Sequence, residues 1–316
     1  MAVETTTFSN NSADTWFRDI MFDCVLCPRA CHVNRLAGQT GYCGQTAELM
    51  AARASLHYWE EPCISGTSGS GTVFFSGCNL RCVFCQNHNI ALGKAGRVIA
   101  PEHLAEIFLQ LQEQGANNIN LVTPTHFLPQ IVIALEQAKQ QGLHLPIVYN
   151  TGSYESPEAL RHLEGLVDIY LPDLKYFSPE LSTAYSHAPD YFETACAAIS
   201  EMYRQVGDSV IDEDTGLMQH GMIVRHLLLP GQTKDSKKIL RYLHETYGDH
   251  IYISIMNQYT PLPQVADIEV LNRTVTPEEY DRVLRFAERI GIERGFRQEG
   301  TAASESFILE FDERGL

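Results

Sequence analysis

The sequence has few basic residues and no long apolar run. Lys and Arg number 23 against 39 Asp and Glu, which gives a formal net charge of −16. Nucleic-acid binding depends on clusters of Lys and Arg at phosphates, so this balance disfavours nucleic acid as a partner. No run of roughly eighteen apolar residues occurs, and we therefore expect no membrane-spanning segment.

The N-terminus also lacks the basic-then-apolar pattern of a secretory signal. Met1 to Asn11 is polar and rich in Thr, Ser and Asn. We therefore expect a cytoplasmic protein without a membrane partner. Internal repeats and low-complexity runs are absent too, and 316 residues with 44% hydrophobic content can fill the core of a large α/β barrel.

Three of the nine cysteines form a short C-x3-C-x2-C motif, made of Cys78, Cys82 and Cys85. In a reducing compartment, cysteines point to metal or redox chemistry rather than to disulfides. This spacing suits three corners of a 4Fe-4S cluster and leaves the fourth iron open for another ligand. The alternatives are a zinc knuckle, for which His88 is the only nearby fourth ligand, and packed thiols.

Four more cysteines form a second group, C-x2-C-x3-C-x11-C, at Cys24, Cys27, Cys31 and Cys43. Four thiolates within about twenty residues make a closed metal site, which holds either zinc or an auxiliary 4Fe-4S cluster. Unliganded cysteines are the third interpretation. Cys196 lies in a segment with helical periodicity and is interpreted as a buried structural thiol, whereas Cys63 could cap either site.

Strand-like and helix-like segments alternate along the remaining chain. The strand candidates are Thr72 to Phe75, Asn118 to Val122, Pro146 to Tyr149, Asp168 to Leu171, Met222 to Leu229 and His250 to Met256. The helix candidates are Pro101 to Gln114, Leu128 to Gln141, Pro157 to Glu164, Asp190 to Val206, Lys234 to Tyr247 and Pro277 to Ile290. Such alternation predicts right-handed βαβ units and a parallel sheet.

The predicted fold is α/β, a partial (β/α)6 barrel with an open side and a small N-terminal metal-binding module. We divide the chain into a polar N-terminal segment (1–20), the four-cysteine module with its connector (21–66), the barrel (67–295) and a C-terminal tail that packs on the barrel (296–316). Residues 207–221 are polar and predict an excursion, with a hairpin as one form, before the fifth strand.

Polar side chains lie on or directly after the predicted strands, where a barrel of this kind binds its ligands. They are Thr123, Thr125 and His126 after the second strand, Asn150 and Thr151 after the third, Asp173 and Lys175 after the fourth, Arg225 in the fifth, and Asn257 and Gln258 after the sixth. Helix capping is the alternative role for any one of them. His126 is either a substrate contact or a packed histidine.

The Cys78 loop resembles that of the radical S-adenosylmethionine (SAM) superfamily. Within it, the chain is similar to the homologues of pyruvate formate-lyase activating enzyme that carry an N-terminal four-cysteine module. The segments that carry this resemblance are Leu56 to Pro62, Gly69 to Asn87, Asn120 to Phe127, Tyr170 to Tyr176, and Gln298 to Phe307. Together they extend over nearly the whole chain.

The resemblance implies a radical SAM reaction. Cys78, Cys82 and Cys85 would ligate a 4Fe-4S cluster, its open iron would bind SAM, and Phe84 would border the adenine. Reduced flavodoxin or ferredoxin would donate an electron, and cleavage of SAM would yield methionine and a 5'-deoxyadenosyl radical. The protein would position this radical against its target and exclude water.

The resemblance also implies roles for the polar residues at the strand ends. Thr123 to Thr125 occupy the place of a Gly-Gly-Glu motif that receives the methionine amino group, although this sequence lacks the glycines. The other implied SAM-site residues are Asn150 and Thr151 in place of an Asp-Thr pair, Asp173 and Lys175 as an Asp-x-Lys pair, Arg225 as a strand arginine, and Asn257 or Gln258 where activating enzymes keep a histidine.

Three hypotheses for the function stay open. The resemblance favours hydrogen abstraction from a protein or peptide, such as the glycine of a glycyl-radical enzyme. A small-molecule substrate is the alternative, which the replaced motif positions favour. An Fe-S protein that only carries electrons or regulates is the third, and the open iron argues against it. No residue is assigned as a catalytic acid or base, because the abstraction requires none.

Overall fold

The computed structural model describes residues 12–298 and 311–316. Residues 1–11 of the predicted N-terminal segment and 299–310 of the predicted tail lie outside this range, as does most of the similar segment Gln298 to Phe307. No helix in the described part of the chain is both long and apolar enough to cross a membrane.

Strands and helices alternate as the sequence predicts. The strands are β1 Met50–His57, β2 Ser70–Phe75, β3 Arg97–Val98, β4 Ile119–Val122, β5 Ile147–Thr151, β6 Ile169–Pro172, β7 Val210–Ile211, β8 Met218–Leu227, β9 Tyr252–Met256 and β10 Gly295–Arg297. The helices are α1 Ser12–Phe22, α2 Pro62–Ser65, α3 His88–Ala91, α4 Pro101–Glu113, α5 Leu128–Gln140, α6 Pro157–Leu160, α7 Pro179–Ser186, α8 Tyr191–Val206, α9 Thr233–Tyr247 and α10 Pro277–Ile290.

The strands form one sheet in the order β10-β9-β8-β6-β5-β4-β2-β1-β3, and β7 pairs with β8 beside this path. From β2 to β10 all neighbours on the path run parallel. β1 and β3 extend the β2 edge as antiparallel strands. This α/β fold with a parallel sheet confirms the predicted fold class and is consistent with the predicted partial barrel.

Local sequence explains the parallel strands and the long helices. Every residue of β2, β4, β5 and β6 is buried, as expected for apolar strands covered on both faces. Helix α10 begins at Pro277 after a capping box, in which Thr276 accepts from the N–H of Glu279 and the Glu279 carboxylate accepts in return. The predicted hairpin in 207–221 is confirmed by the antiparallel pairing of β7 with β8.

Several elements are not among the predicted ones. β1 has the sequence MAARASLH, whose alanines favour a helix, yet it pairs with β2 over most of its length. The pairing with a neighbouring buried strand outweighs the local preference. Helix α7 did carry a readable start signal, because Ser178 caps it and Pro179 follows at the first helical position.

Candidate functional site

The Cys78 loop leaves β2 through a glycine. Gly77 has a φ of +91°, and a Cβ there would lie 2.5 Å from the Gln45 side chain, so glycine fits both the turn and the space. Cys78, Cys82 and Cys85 follow and are half-buried. The N–H of Leu80 lies 3.4 Å from Cys78 Sγ, and Ser186 Oγ donates to Cys82 Sγ at 2.9 Å.

The three thiols of this loop influence one another electrostatically. The pKa of Cys85 is raised to about 12, mainly by burial and also by the neighbouring Cys82 and Cys78. Burial and Cys82 also raise the pKa of Cys78, while Lys175 opposes the shift at both thiols. Since metal ligation deprotonates thiols, a cationic cluster would relieve this cost. Three adjacent thiols with donors aimed at two sulfurs fit an Fe-S cluster.

Phe84 packs in an aromatic wall behind the loop. Its ring centroid lies 6.4 Å from that of Tyr176, 6.4 Å from Tyr185 and 6.0 Å from Tyr259, in edge-to-face geometry. Only 7% of Phe84 is exposed. The wall shields the buried side of the cysteine loop from water.

Four of the predicted SAM-site residues meet in one charged network. Arg225 donates to Asp173 at 2.9 Å and to Asn150 at 2.6 Å, and Lys175 donates to the second oxygen of Asp173 at 2.6 Å. Burial alone would raise the pKa of Asp173, but Arg225 and Lys175 together hold it below its ordinary value. Asp173 is therefore an anion between two cations.

Glu60 completes this network and was not predicted from the sequence. It accepts from Arg225 at 3.0 Å and from Asn120 at 3.1 Å. Burial raises the pKa of Glu60, and Arg225 opposes the shift. A signal was present in the sequence, because the pair Glu60-Glu61 lies within Leu56 to Pro62, one of the segments that carry the family resemblance.

Two further predicted residues, Thr125 and Thr151, contact Glu155 instead of this network. Glu155 was not predicted as a site residue from the sequence. Thr125 donates to Glu155 at 2.6 Å, and the Thr151 hydroxyl donates to the same carboxylate oxygen. Thr151 and Asn150 diverge because successive side chains of a strand point to opposite faces. Glu155 is fully buried, and this burial raises its pKa to about 7.

The remaining predicted contacts lie at the ends of β4 and β9. Thr123 has a φ of +57°, the left-handed conformation that glycine adopts without strain, so the backbone shape expected of a glycine motif is present without the glycine. The N–H of Asn257 donates to Gln298 at 2.8 Å, and its buried Oδ1 has no partner within the described residues. Neither geometry tests SAM binding, so these contacts stay predictions.

The four cysteines of the N-terminal group line one small pocket. Its other lining residues are Leu26, Arg29, Arg35, Gly41 and His126. A Cβ at Gly41 would lie 2.7 Å from Cys31 Sγ, so the chain passes directly against that sulfur. Burial raises the pKa of Cys27 to about 12 and also raises that of Cys43.

His126 lines this pocket beside the four cysteines. It is 2% exposed, and its Nε2 lies 2.5 Å from the Ser76 carbonyl oxygen, so Nε2 carries the proton. Its buried Nδ1 has no hydrogen-bond partner within the described residues. Nδ1 therefore carries a lone pair without a partner in a residue that lines the four-cysteine pocket, and the burial of the ring supports the packed-histidine interpretation.

Cys63 and Cys196 lie outside both groups. Cys63 is buried in α2 beside Ile64 and is not among the lining residues of the N-terminal pocket. Cys196 lies on α8 as predicted but is half-buried rather than buried. Among the described residues, no three His, Cys, Asp or Glu side chains converge as a site for a single metal ion. A 4Fe-4S cluster differs from such a site because several irons stand between its ligand sulfurs.

An open parallel sheet with a three-cysteine loop after its first parallel strand defines the class of radical SAM proteins. The family model described as the radical SAM superfamily matches residues 72–243, more than half of this chain. The chain belongs to the radical SAM superfamily.

Two relatives and one solved structure illustrate the similarity. An uncharacterised protein of Methanocaldococcus jannaschii is 27% identical over 286 residues, which cover 87% of this chain and 77% of that protein. A pyruvate formate-lyase-activating enzyme of Clostridium pasteurianum is 29% identical over 121 residues, 36% of this chain and 48% of the enzyme. The FeFe-hydrogenase maturase HydG from Carboxydothermus hydrogenoformans aligns with a TM-score of 0.49 at 12% identity, over 76% of this chain and 60% of that structure.

Proposed function

We propose that this radical SAM enzyme binds a 4Fe-4S cluster through Cys78, Cys82 and Cys85 and SAM at the open iron. The observation that carries the proposal is the loop of three thiols beside the charged network of Asp173 and Lys175. When bound, the cluster and SAM supply a 5'-deoxyadenosyl radical that abstracts hydrogen. Reduced flavodoxin or ferredoxin is the proposed electron donor.

The residues of the chain would bind and shield the reactants. Lys175 lies close enough to the thiols to oppose their upward pKa shifts, so its charge would stabilise the anionic ligands. Arg225 holds Asp173 and Asn150 in fixed positions beside it. The aromatic wall around Phe84 keeps water from the buried side. Thr123, Thr125, Thr151 and Asn257 are the further proposed SAM contacts, Thr125 and Thr151 through their backbone because their hydroxyls donate to Glu155.

A protein or peptide substrate, such as the glycine of a glycyl-radical enzyme, is the preferred proposal. The partial similarity to a pyruvate formate-lyase-activating enzyme supports it. A small-molecule substrate is the second candidate, and the replacement of the Gly-Gly-Glu motif by Thr123-Pro-Thr favours it. None of the nine cysteines, all within the described residues, is paired in a disulfide, which supports a reducing compartment, and we propose the cytoplasm.

Metal analysis tests the two cysteine groups separately. The protein is reconstituted anaerobically with iron and sulfide, and iron, sulfide and zinc are counted in the wild type and in a Cys78→Ala/Cys82→Ala/Cys85→Ala variant. The variant should lose about four irons and all SAM cleavage, whereas a Cys196→Ala control should lose neither. About four irons retained in the triple variant indicate a second cluster at Cys24, Cys27, Cys31 and Cys43, and one zinc indicates a zinc site. Full SAM cleavage by the triple variant would reject the proposal.

Deuterium transfer separates the two substrate classes. Reduced enzyme and SAM are incubated with candidate glycyl-radical partners from the same organism, labelled with deuterated glycine. A glycine-centred paramagnetic signal, with deuterium in the 5'-deoxyadenosine, supports the protein substrate. Failure with every such partner, while SAM is still cleaved, favours the small molecule.

A further inference from the structure

Ser186 is a buried hydroxyl directed at one of the cluster cysteines. It is the last residue of α7, is fully buried, and donates from Oγ to Cys82 Sγ at 2.9 Å. Tyr176 OH lies 2.7 Å from the same Oγ. Because Ser186 has one hydroxyl proton and directs it to sulfur, Tyr176 is the donor in the second bond. The two hydroxyls form a relay that ends on Cys82.

Arg29, a residue of the N-terminal four-cysteine module, binds the C-terminal end of α7. It lies between Cys27 and Cys31 in the chain, and its guanidinium donates to the carbonyl oxygens of Ser186 at 3.0 Å and His187 at 2.5 Å. A third donation, at 2.9 Å, reaches the carbonyl oxygen of Asn79 in the Cys78 loop. Cations are favoured at helix C-termini, where carbonyl oxygens lack partners within the helix.

Aromatic rings hold this guanidinium in place. It lies 4.0 Å from the ring centroid of Tyr42 and 5.0 Å from that of Tyr154. Tyr42 is also tied to the Cys78 loop, because its hydroxyl lies 3.4 Å from the Leu80 carbonyl oxygen. Arg29 therefore contacts the four-cysteine module, the Cys78 loop and the end of α7 at once.

We propose that Ser186, held in position by Arg29, raises the reduction potential of the cluster at Cys78, Cys82 and Cys85. This inference rests on the proposed function. Reduction adds negative charge that is shared with the ligand sulfurs, and a hydroxyl proton aimed at Cys82 stabilises that charge. Hydrogen bonds to sulfur are among the features that set Fe-S potentials. Through Arg29, the four-cysteine module thus contributes to the potential of a cluster that it does not ligate.

The test is a redox titration of the reconstituted full-length protein. The signal that changes on addition of SAM belongs to the cluster at the Cys78 loop, which separates it from any second cluster. Ser186→Ala should lower the midpoint potential, with a change in the reduction equilibrium on the order of tenfold, about 59 mV for a one-electron couple. Ser182→Ala is the matched control, since this buried serine of the same helix donates to the Pro179 carbonyl oxygen and leaves the potential unchanged.

Two further variants separate the parts of the relay. Tyr176→Phe keeps Ser186 in place and should lower the potential by a smaller amount, because Ser186 loses its own donor. It also provides a test should Ser186→Ala fail to fold. Arg29→Gln should lower the potential too, whereas Arg204→Gln, at an exposed arginine of α8, should not.

The results distinguish the role of Ser186, the role of the four-cysteine module and the proposed function. An unchanged potential in Ser186→Ala and in Tyr176→Phe, with the wild-type iron content, would overturn the inference. A shift in Ser186→Ala together with none in Arg29→Gln would overturn the role of the four-cysteine module. A wild-type protein that binds no iron, or shows no SAM-dependent signal, rejects the proposed function instead.

Discussion

Glu155 is a carboxyl group without any exposure to water. One of its oxygens accepts from the hydroxyls of Thr125 and Thr151, and Tyr149 OH lies 3.4 Å from it, while the other oxygen has no partner among the described residues. Burial is the largest influence and raises the pKa from 4.5 to about 7, although the three hydroxyls oppose the shift. The folded protein therefore binds this proton more tightly than the unfolded chain.

The stability of the metal-free protein should depend on the protonation of Glu155. Its contribution is fully present below about pH 4.5 and is lost as the pH rises through about 7, by about 1.4 kcal/mol for each pH unit in between. Glu155→Gln stays neutral and should remove this slope from the free energy of unfolding, measured by urea titration between pH 4.5 and 8. The same slope in the variant would contradict the assignment.

At the scale of elements, the contact between the N-terminal module and the Cys78 loop depends on Gly77, two positions after the end of β2. A Cβ on Gly77 would lie 2.5 Å from the Gln45 side chain and 3.0 Å from the Cys43 carbonyl oxygen. Cys43 lines the four-cysteine pocket, and Gln45 follows it two positions later. The sequence analysis did not predict this contact, because Cys43 and Gly77 are brought together only by the fold.

Gly77→Ala should reveal this contact as a loss of stability. The positive φ and the clash together should lower the free energy of unfolding by about 3 kcal/mol. Gly165→Ala is the matched control, since Gly165 also has a positive φ of +77° but a Cβ there would have no heavy atom within 4 Å. The control should lose only about 1 kcal/mol. Equal losses in denaturant titrations of both variants would show that the module does not press on the loop.

At the scale of the whole molecule, Arg225 joins distant parts of the barrel. It reaches Glu60, 165 positions earlier in the chain and directly before α2, and it also reaches Asp173 after β6 and Asn150 in β5. The Arg225 and Glu60 side chains are 13% and 10% exposed. Because Arg225 has partners on several segments, this buried ion pair specifies how these segments pack together. The loss of one partner leaves the other charged groups buried without a counter-charge.

Removal of Arg225 should destabilise the entire barrel. Arg225→Met leaves Glu60 and Asp173 buried without their main cation and should lower the free energy of unfolding by about 3 to 5 kcal/mol. The exposed Arg204, which pairs with Glu164 and Glu201, is the control, and Arg204→Met should have little effect. Thermal and urea unfolding of both variants provide the measurement, and a small effect at both positions would contradict a structural role for the network.

The sequence by itself determined the features that depend on nearby residues. Cysteine spacing identified the thiol loop, and alternating apolar patterns located the six predicted strands and most long helices, because strand and helix periods are local. The α/β class and the radical SAM family followed from them. Strand β1 was missed because a tertiary neighbour outweighed its alanines.

Only the tertiary structure decided which distant groups meet. Ser186 lies 104 positions from Cys82, and Arg29 lies 157 positions from Ser186, yet they form one chain of contacts. Likewise, Asn150 and Thr151 lie on opposite faces of β5, so Asn150 contacts Arg225 and Thr151 contacts Glu155. Such contacts depend on strand order and on the packing of α7, which no spacing along the chain specifies.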